Sequence, residues 1–241
     1  MAIATPNTTL SSNDARILNA LFDPETLPSS IARSKESSII KPTLPAHPTI
    51  LPSDLDALET TQNDLIQKIT TSSSKSEIEE ALRHEDEIMQ QNPNYPSVYA
   101  NRAMLRRMKL EAGKSKPDVS LFTASSEQDI EALFRDLSRA IHLSLPSSAP
   151  TDSVSPYQAR ILRTAFSHRA YLYLKAAESG VELKGKGKSE LEELASGDFA
   201  NAARYGDEVA REMSVRTNPY AKMCGAIVRN ALAEERRDAG M

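Results

Sequence analysis

Five side chains in this sequence could carry acid–base, metal or nucleophilic chemistry: His47, His84, His142, His168 and Cys224. A metal site needs His, Cys or carboxylate ligands at short, fixed spacings, and the histidines show none. His47 falls in a proline-rich stretch away from the others. His84 has Asp86 and Glu87 nearby, which reads as a solvated helix face rather than an acid–base pair. Cys224 lies early in a helix beside Lys222, a setting that lowers a thiol pKa. It also falls on an apolar stripe with Met223 and Ile227, so it is expected to be a buried small side chain. No nucleophile elbow, phosphate loop or dinucleotide fingerprint occurs. The expectation is a protein with no catalysis, no cofactor and no metal site.

The elements that must position these residues read as helices. The chain has 241 residues, with only 8 Gly, no Trp, 39% hydrophobic and 26% charged residues. Rich in Ala, Leu, Glu and Arg, it favours an all-α fold. Net charge is −4 with both signs interspersed, so no concentrated basic surface for nucleic acid or anionic membrane is expected. One cysteine excludes an intrachain disulfide. The apolar runs are too short to span a bilayer, and residues 1–12 lack the basic start and apolar core of a secretory signal. The expected setting is the cytoplasm, with access to the nucleus.

Residues 1–53 form an expected arm, crowded with prolines 6, 24, 28, 42, 45, 48 and 52 among Ser and Thr. Such a composition buries too little apolar surface to offset its ordering entropy. Within it, Asn13 can cap a short helix over 13–23, with Ile17, Leu18, Leu21 and Phe22 on one stripe and Pro24 as its stop. That helix is expected to dock on the main body. From Ser53 onward, the caps expected are Ser53, a Ser76/Glu79 box, a Ser125/Gln128 box, Ser155-Pro156, a Ser189/Glu192 box and Asn218-Pro219. Apolar stripes follow each. Helix pairs recurring three times and closed by a single helix are the mark of a helical solenoid.

The stretch Asn92-Pro93-Asn94-Tyr95-Pro96-Ser97-Val98-Tyr99-Ala100-Asn101-Arg102-Ala103 is the seam between two such pairs. It resembles the junction of tetratricopeptide repeats. Ala81 and Pro93, Tyr99 and Ala103, Leu137 and Ala140, and Phe166, Ala170, Ala195, Phe199 and Ala202 fit that family's large and small positions. Four elements narrow the resemblance. They are Ile17-Leu-Asn-Ala-Leu-Phe-Asp-Pro24, Tyr99-Ala-Asn-Arg-Ala103, Asp198-Phe-Ala-Asn-Ala-Ala-Arg-Tyr-Gly206 and Asn218-Pro-Tyr-Ala-Lys-Met-Cys224. With three repeats in that order, the chain resembles the tetratricopeptide repeat protein 36 family, as a divergent, fungal-type member. The fold this implies is an α-solenoid of three helix pairs plus a C-terminal capping helix. The units span about 54–93, 96–145 and 155–216, and the cap 218–236, within a domain over 54–241. Thr70 to Lys75, Ala112 to Ser125, Pro146 to Asp152 and Ser179 to Lys188 are read as loop expansions.

The resemblance implies a non-enzymatic, monomeric scaffold for a protein or peptide partner, with the seventy-kilodalton heat-shock chaperone as that partner. By repeat register, the groove is lined by Asn63, Ile66 and Gln67 in the first unit. In the second it is lined by Ser97, Ala100, Asn101, Met104, Arg107 and Met108, and in the third by Thr164, Ser167, His168, Tyr171 and Lys175. Met104 and Met108 could equally offer an adaptable contact or fill the space between repeats. Chaperone-binding repeats often carry a two-carboxylate clamp of Lys and Asn side chains and an Arg. Asn63 and Asn101 occupy its Asn positions, but Glu59, Thr164 and His168 replace its cations, so weak recognition of an acidic tail is expected. The basic run Arg102, Arg106, Arg107 and Lys109 is expected to pair with the acids between Glu77 and Glu87. Two rival readings stand beside the chaperone adaptor: an adaptor for the turnover or assembly of a client enzyme, and a helical-bundle enzyme or small-ligand binder.

Overall fold

Helix follows helix along this chain, as seen in a computed structural model describing residues 39–70, 72–114, 119–146, 149 and 152–239. The elements are α1 (Pro52–Ile66), α2 (Lys75–Gln91), α3 (Pro96–Ala112), α4 (Leu121–Ala124), α5 (Glu127–Ser144), α6 (Pro156–Glu178), α7 (Lys188–Arg204), α8 (Glu208–Thr217) and α9 (Pro219–Ala239). No strand forms among the described residues. There are two isolated bridges, Ile40 with Val154 and Leu183 with Lys186. The expected helix over 13–23 lies outside the described residues.

Capping chemistry sets where the helices begin. Ser155 caps α6 as expected, accepting from Gln158 N while the Gln158 side chain accepts from Ser155 N, with Pro156 in the first turn. Asn218 opens α9 as expected, its Oδ1 accepting from Tyr220 N at 2.9 Å. Elsewhere the frame shifts. The chain takes the earlier of two overlapping Ser-x-x-Glu frames at α2, where Ser74 and Glu77 satisfy each other's backbone N–H groups. Ser126, not Ser125, caps α5 and accepts from Asp129 N. Gly187 precedes α7, its N–H bonded to the Glu190 carboxylate at 3.1 Å. Leu51 precedes α1 with no side-chain cap, so Ser53 lies inside that helix.

Successive helices pack on one another from α2 through α3, α5, α6, α7 and α8. The main core spans α3, α5, α6 and α7, with Val98, Leu133, Leu137, Leu162, Leu172 and Leu191 fully buried. Small residues sit where backbones approach: Ala103, Ala140, Ala170 and Ala202 have no exposed surface. The first pair is tied in differently. Ile78, Ala81 and Leu105 form a separate cluster, flanked by Leu65, Ile66, Ile69, Leu82 and Met108.

Two structural details differ from expectation. Left-handed Gly206 (φ 88°) turns the chain into α8, which folds back along α7 with Ala210 buried. Thus α8, not a helix over 218–236, covers the third pair. Helix α9 barely touches the body, so Tyr220, Met223 and Ile227 are 55–60% exposed and Cys224 is exposed, not buried. The second difference is the proline-rich arm. Residues 39–51 form a docked strap instead of a free linker. Val154 N donates to Ile39 O and Lys41 N to Val154 O, both at 2.9 Å. Ser155 Oγ donates to Ala46 O at 2.8 Å. His47 is buried edge-on to Tyr157, its Nδ1 accepting from Ile50 N at 3.1 Å. Backbone partners at the start of α6, and Ile39, Ile40, Ala46 and Ile50 packed on the core, offset the ordering entropy of this segment.

Candidate functional site

Helices α1, α3 and α6 approach one another in order, whereas α2, α5 and α7 are not in comparable contact. The leading helices therefore form a row of their own, beside the row of α2, α5 and α7.

Glu59 crosses this row near its start. Tyr95 Oη donates to Glu59 Oε1 at 2.7 Å, and Arg160 pairs with the other carboxylate oxygen. One acid thus fastens α1 to the leading ends of α3 and α6. Burial, with Glu59 alongside, holds the Tyr95 phenol well above its ordinary pKa.

The structure gathers four of the expected groove residues into one cluster. The Arg107 guanidinium lies 5.5 Å from the centre of the Tyr171 ring and the Lys175 ammonium 5.8 Å from it. Glu111 balances Arg107 at 3.1 Å and Glu178 balances Lys175 at 2.7 Å. His168 sits beside Arg107, its Nε2 buried without a hydrogen-bond partner. Burial, assisted by the Arg107 charge, pushes its pKa down to about 3, so the ring is neutral at physiological pH. His168 cannot supply the cation that a two-carboxylate clamp would need at this position. Tyr171 itself remains 37% exposed.

The other expected groove residues disperse. Asn63 and Gln67 are exposed at the end of α1, where Gln67 N donates to Asn63 O. Thr164 is exposed and bonds back to Arg160 O at 3.0 Å. Ser167 donates to Asp207 at 2.5 Å, fixing the start of α8. Ala100 and Ser97 are buried, Ala100 as part of the main core. Met108 and Ile66 pack against the cluster of Ile78, Ala81 and Leu105, so for Met108 the space-filling alternative holds. Met104 is half-buried. Asn101 reaches a second polar group, the Glu85 carboxyl, which also accepts from Gln62 Nε2 at 2.5 Å. Burial pushes Glu85 up to about 7.

Sequence reading missed a repeated ion pair beneath this surface. Arg102 packs over Tyr99 and bonds Asp136, with Nε–Oδ2 at 2.9 Å. Arg169 packs over Phe166 and bonds Asp198 through two contacts of 2.6 and 2.8 Å. Each arginine stands three residues after its aromatic, and each aspartate directly precedes a core residue, Leu137 or Phe199. That spacing was visible as a repeated aromatic-x-x-Arg-Ala. Arg102 also meets Asp86 at 2.8 Å and Lys109 meets Glu79 at 3.0 Å, which realises part of the expected cross-helix pairing.

No acid–base or metal constellation accompanies these contacts. His84 is exposed between Glu80 and Glu87 on α2. No group of three His, Cys, Asp or Glu among the described residues could hold a metal ion. No helix of the described residues is long and apolar enough to cross a membrane.

The chain is 40% identical, over 245 residues, to the L-tyrosine degradation gene cluster protein hmgX of Aspergillus fumigatus, covering 94% of this chain and 93% of that protein. It belongs to the hmgX family. It is also 28% identical over 230 residues to the tetratricopeptide repeat protein 36 homolog of Drosophila melanogaster, covering 93% and 95% of the two chains. The resemblance to the tetratricopeptide repeat protein 36 family is thus distant, with hmgX much nearer. Neither relative carries an enzyme's name. No family model and no solved structure matches the chain.

Proposed function

We propose that this member of the hmgX family is a tetratricopeptide-type scaffold that performs no catalysis and holds an enzyme of L-tyrosine degradation as its client. The observation that carries this reading is the near full-length similarity to a protein named for the L-tyrosine degradation gene cluster. The geometry supports it. An inner face built from α1, α3 and α6 presents an exposed aromatic, Tyr171, held between two cations, which suits an extended segment or helix of a protein partner. In this reading the partner also reaches the exposed Asn63, Gln67 and Thr164 and the half-buried Asn101 and Met104 on the same three helices. The seventy-kilodalton heat-shock chaperone, implied by the family resemblance, is the second partner of this reading. It is held through a surface other than its acidic tail, since Glu59 is engaged and His168 is neutral.

The test is direct binding between the purified full chain and each purified enzyme of L-tyrosine degradation, measured by biolayer interferometry. The chaperone forms a separate arm. One enzyme should bind, and the Arg107→Glu, Tyr171→Ala double variant should weaken it about tenfold or more. Failure of every enzyme to bind would sink the client reading, whatever the chaperone does.

A further inference from the structure

Two insertions inside the helix pairs, described over 119–126 and 179–187, belong to different units yet meet in space. Ser120 Oγ and Ser179 Oγ are hydrogen-bonded at 2.6 Å. The second insertion is not a loose loop. Leu183 and Lys186 exchange two backbone hydrogen bonds of 3.1 Å, and Lys184 (φ 52°) and Gly185 (φ 73°) make the turn between them. Two successive left-handed residues define the tight hairpin turn whose twist suits paired strands, and glycine takes the second position at little cost. The hairpin alternates as a strand does: Val181 and Leu183 pack onto the core while Glu182 and Lys184 point outward. The first insertion contributes α4, whose Phe122 is buried against the same core.

Together they wall a cleft of about 630 Å³ along α5, with Phe122 standing between it and the surface that carries Tyr171 and Lys175. Its floor is apolar, formed by Phe122, Ile130, Phe134 and Leu183. Its rim carries three carboxylates, Glu127, Glu131 and Glu182, against one cation, Lys184. Glu131 has a long 3.8 Å contact with Arg135. Glu127 and Glu182 have no ion pair among the described residues. Acidic side chains around an apolar floor focus a negative potential where a partner's cations would be partly desolvated. In repeat proteins, insertions gathered on one face often form the binding face.

We propose that this cleft is a second docking site, which takes a protein segment with an apolar anchor flanked by Arg or Lys. The anchor fills the floor between Phe122 and Leu183, and the flanking cations meet Glu127 and Glu182. The site adjoins the inner face at Phe122 but is lined by its own residues of α5 and the hairpin.

The probe is a fluorescein-labelled peptide with a Leu-Phe centre and Arg-Lys flanks, with a Glu-flanked peptide as counterpart. Anisotropy with the full chain should show saturable binding of the basic peptide only, weakening as salt rises. Glu127→Lys with Glu182→Lys should lower its affinity about tenfold and let the acidic peptide bind, while Thr164→Arg on the inner face changes neither. Amide shifts in isotopically labelled protein should cluster at 120–127 and 181–186. No binding of the basic peptide at about 1 mM would overturn the proposal. So would equal binding of both peptides, indifference to the double charge reversal, or amide shifts confined to α1, α3 and α6. The peptides test this cleft alone, so their failure leaves the enzyme-client reading to its own experiment.

Discussion

Gln62 of α1 and Glu85 of α2 meet side chain to side chain at 2.5 Å, both almost wholly buried. Glu85 stands where the later units place Leu137 and Phe199, so a carboxyl occupies a core position of the first pair. Asn101 and Arg102 of α3 and the neighbouring Asp86 face the same group. None neutralises the cost of burial, and the carboxyl keeps its proton up to about pH 7.

This pair makes stability depend on pH. The native pKa of Glu85 lies above its unfolded value of 4.5, so the folded state binds the proton more tightly. The favourable contribution is fully present below about pH 4.5 and is lost as pH rises through about 7. Urea unfolding of the full chain should show stability falling across that window. Glu85→Gln keeps the hydrogen bond to Gln62 without the charge. It should flatten the profile and raise stability at pH 8 by about 2–3 kcal/mol. A slope unchanged in the variant would rule out Glu85 as the titrating group.

The Arg169–Asp198 pair yields a larger predicted loss for the single substitution than for the double one. Removing Asp198 leaves a largely buried guanidinium without its bidentate partner, which should cost about 3 kcal/mol. Replacing both, as Arg169→Met with Asp198→Leu, removes the charge and fills the space, and should recover most of that loss. Chemical denaturation of the four proteins in the cycle measures it. Equal destabilisation in the single and double variants would show that packing, not an unpaired charge, is at stake.

These elements also show what the amino-acid order conveys and what it conceals. The helices were legible because their stripes and proline stops are local. The exact frames of α2, α5 and α7 were not, since two capping frames compete within a few residues and only packing chooses between them. α8 escaped notice because Glu208–Thr217 is only ten residues long and mostly polar. The strap over 39–51 was illegible from composition, because its partners, Val154 and Ser155, lie more than a hundred residues away. Of the residues expected to line a groove, Arg107, His168, Tyr171 and Lys175 lie close together. Ala100 and Met108 do not join them, since register gives the direction of a side chain but not how closely the next helix approaches.

Ser155 joins two of these features. Its hydroxyl accepts from Gln158 N to cap α6 and donates to Ala46 O to hold the strap. Ser155→Ala should destabilise the chain by about 1–2 kcal/mol and increase proteolysis between residues 39 and 51 under native conditions. Ser155→Asp restores the acceptor but not the donor. It should recover the cap while leaving the strap sensitive, and protection of the strap in that variant would show that the Ala46 bond contributes nothing.

Cys224 tests the position of the last helix. An exposed thiol on α9 should react with Ellman's reagent in the folded chain about as fast as in the unfolded one. The same helix displays Tyr220, Met223 and Ile227, so Met223→Ala and Ile227→Ala should each change stability by less than about 0.5 kcal/mol. A thiol protected until global unfolding, together with a cost of about 2 kcal/mol for Ile227→Ala, would place α9 against the third pair after all. The cap would then be shared with α8. Fast labelling with neutral alanine variants instead assigns closure of the solenoid to α8 alone, through Ala210 and the Ser167–Asp207 contact.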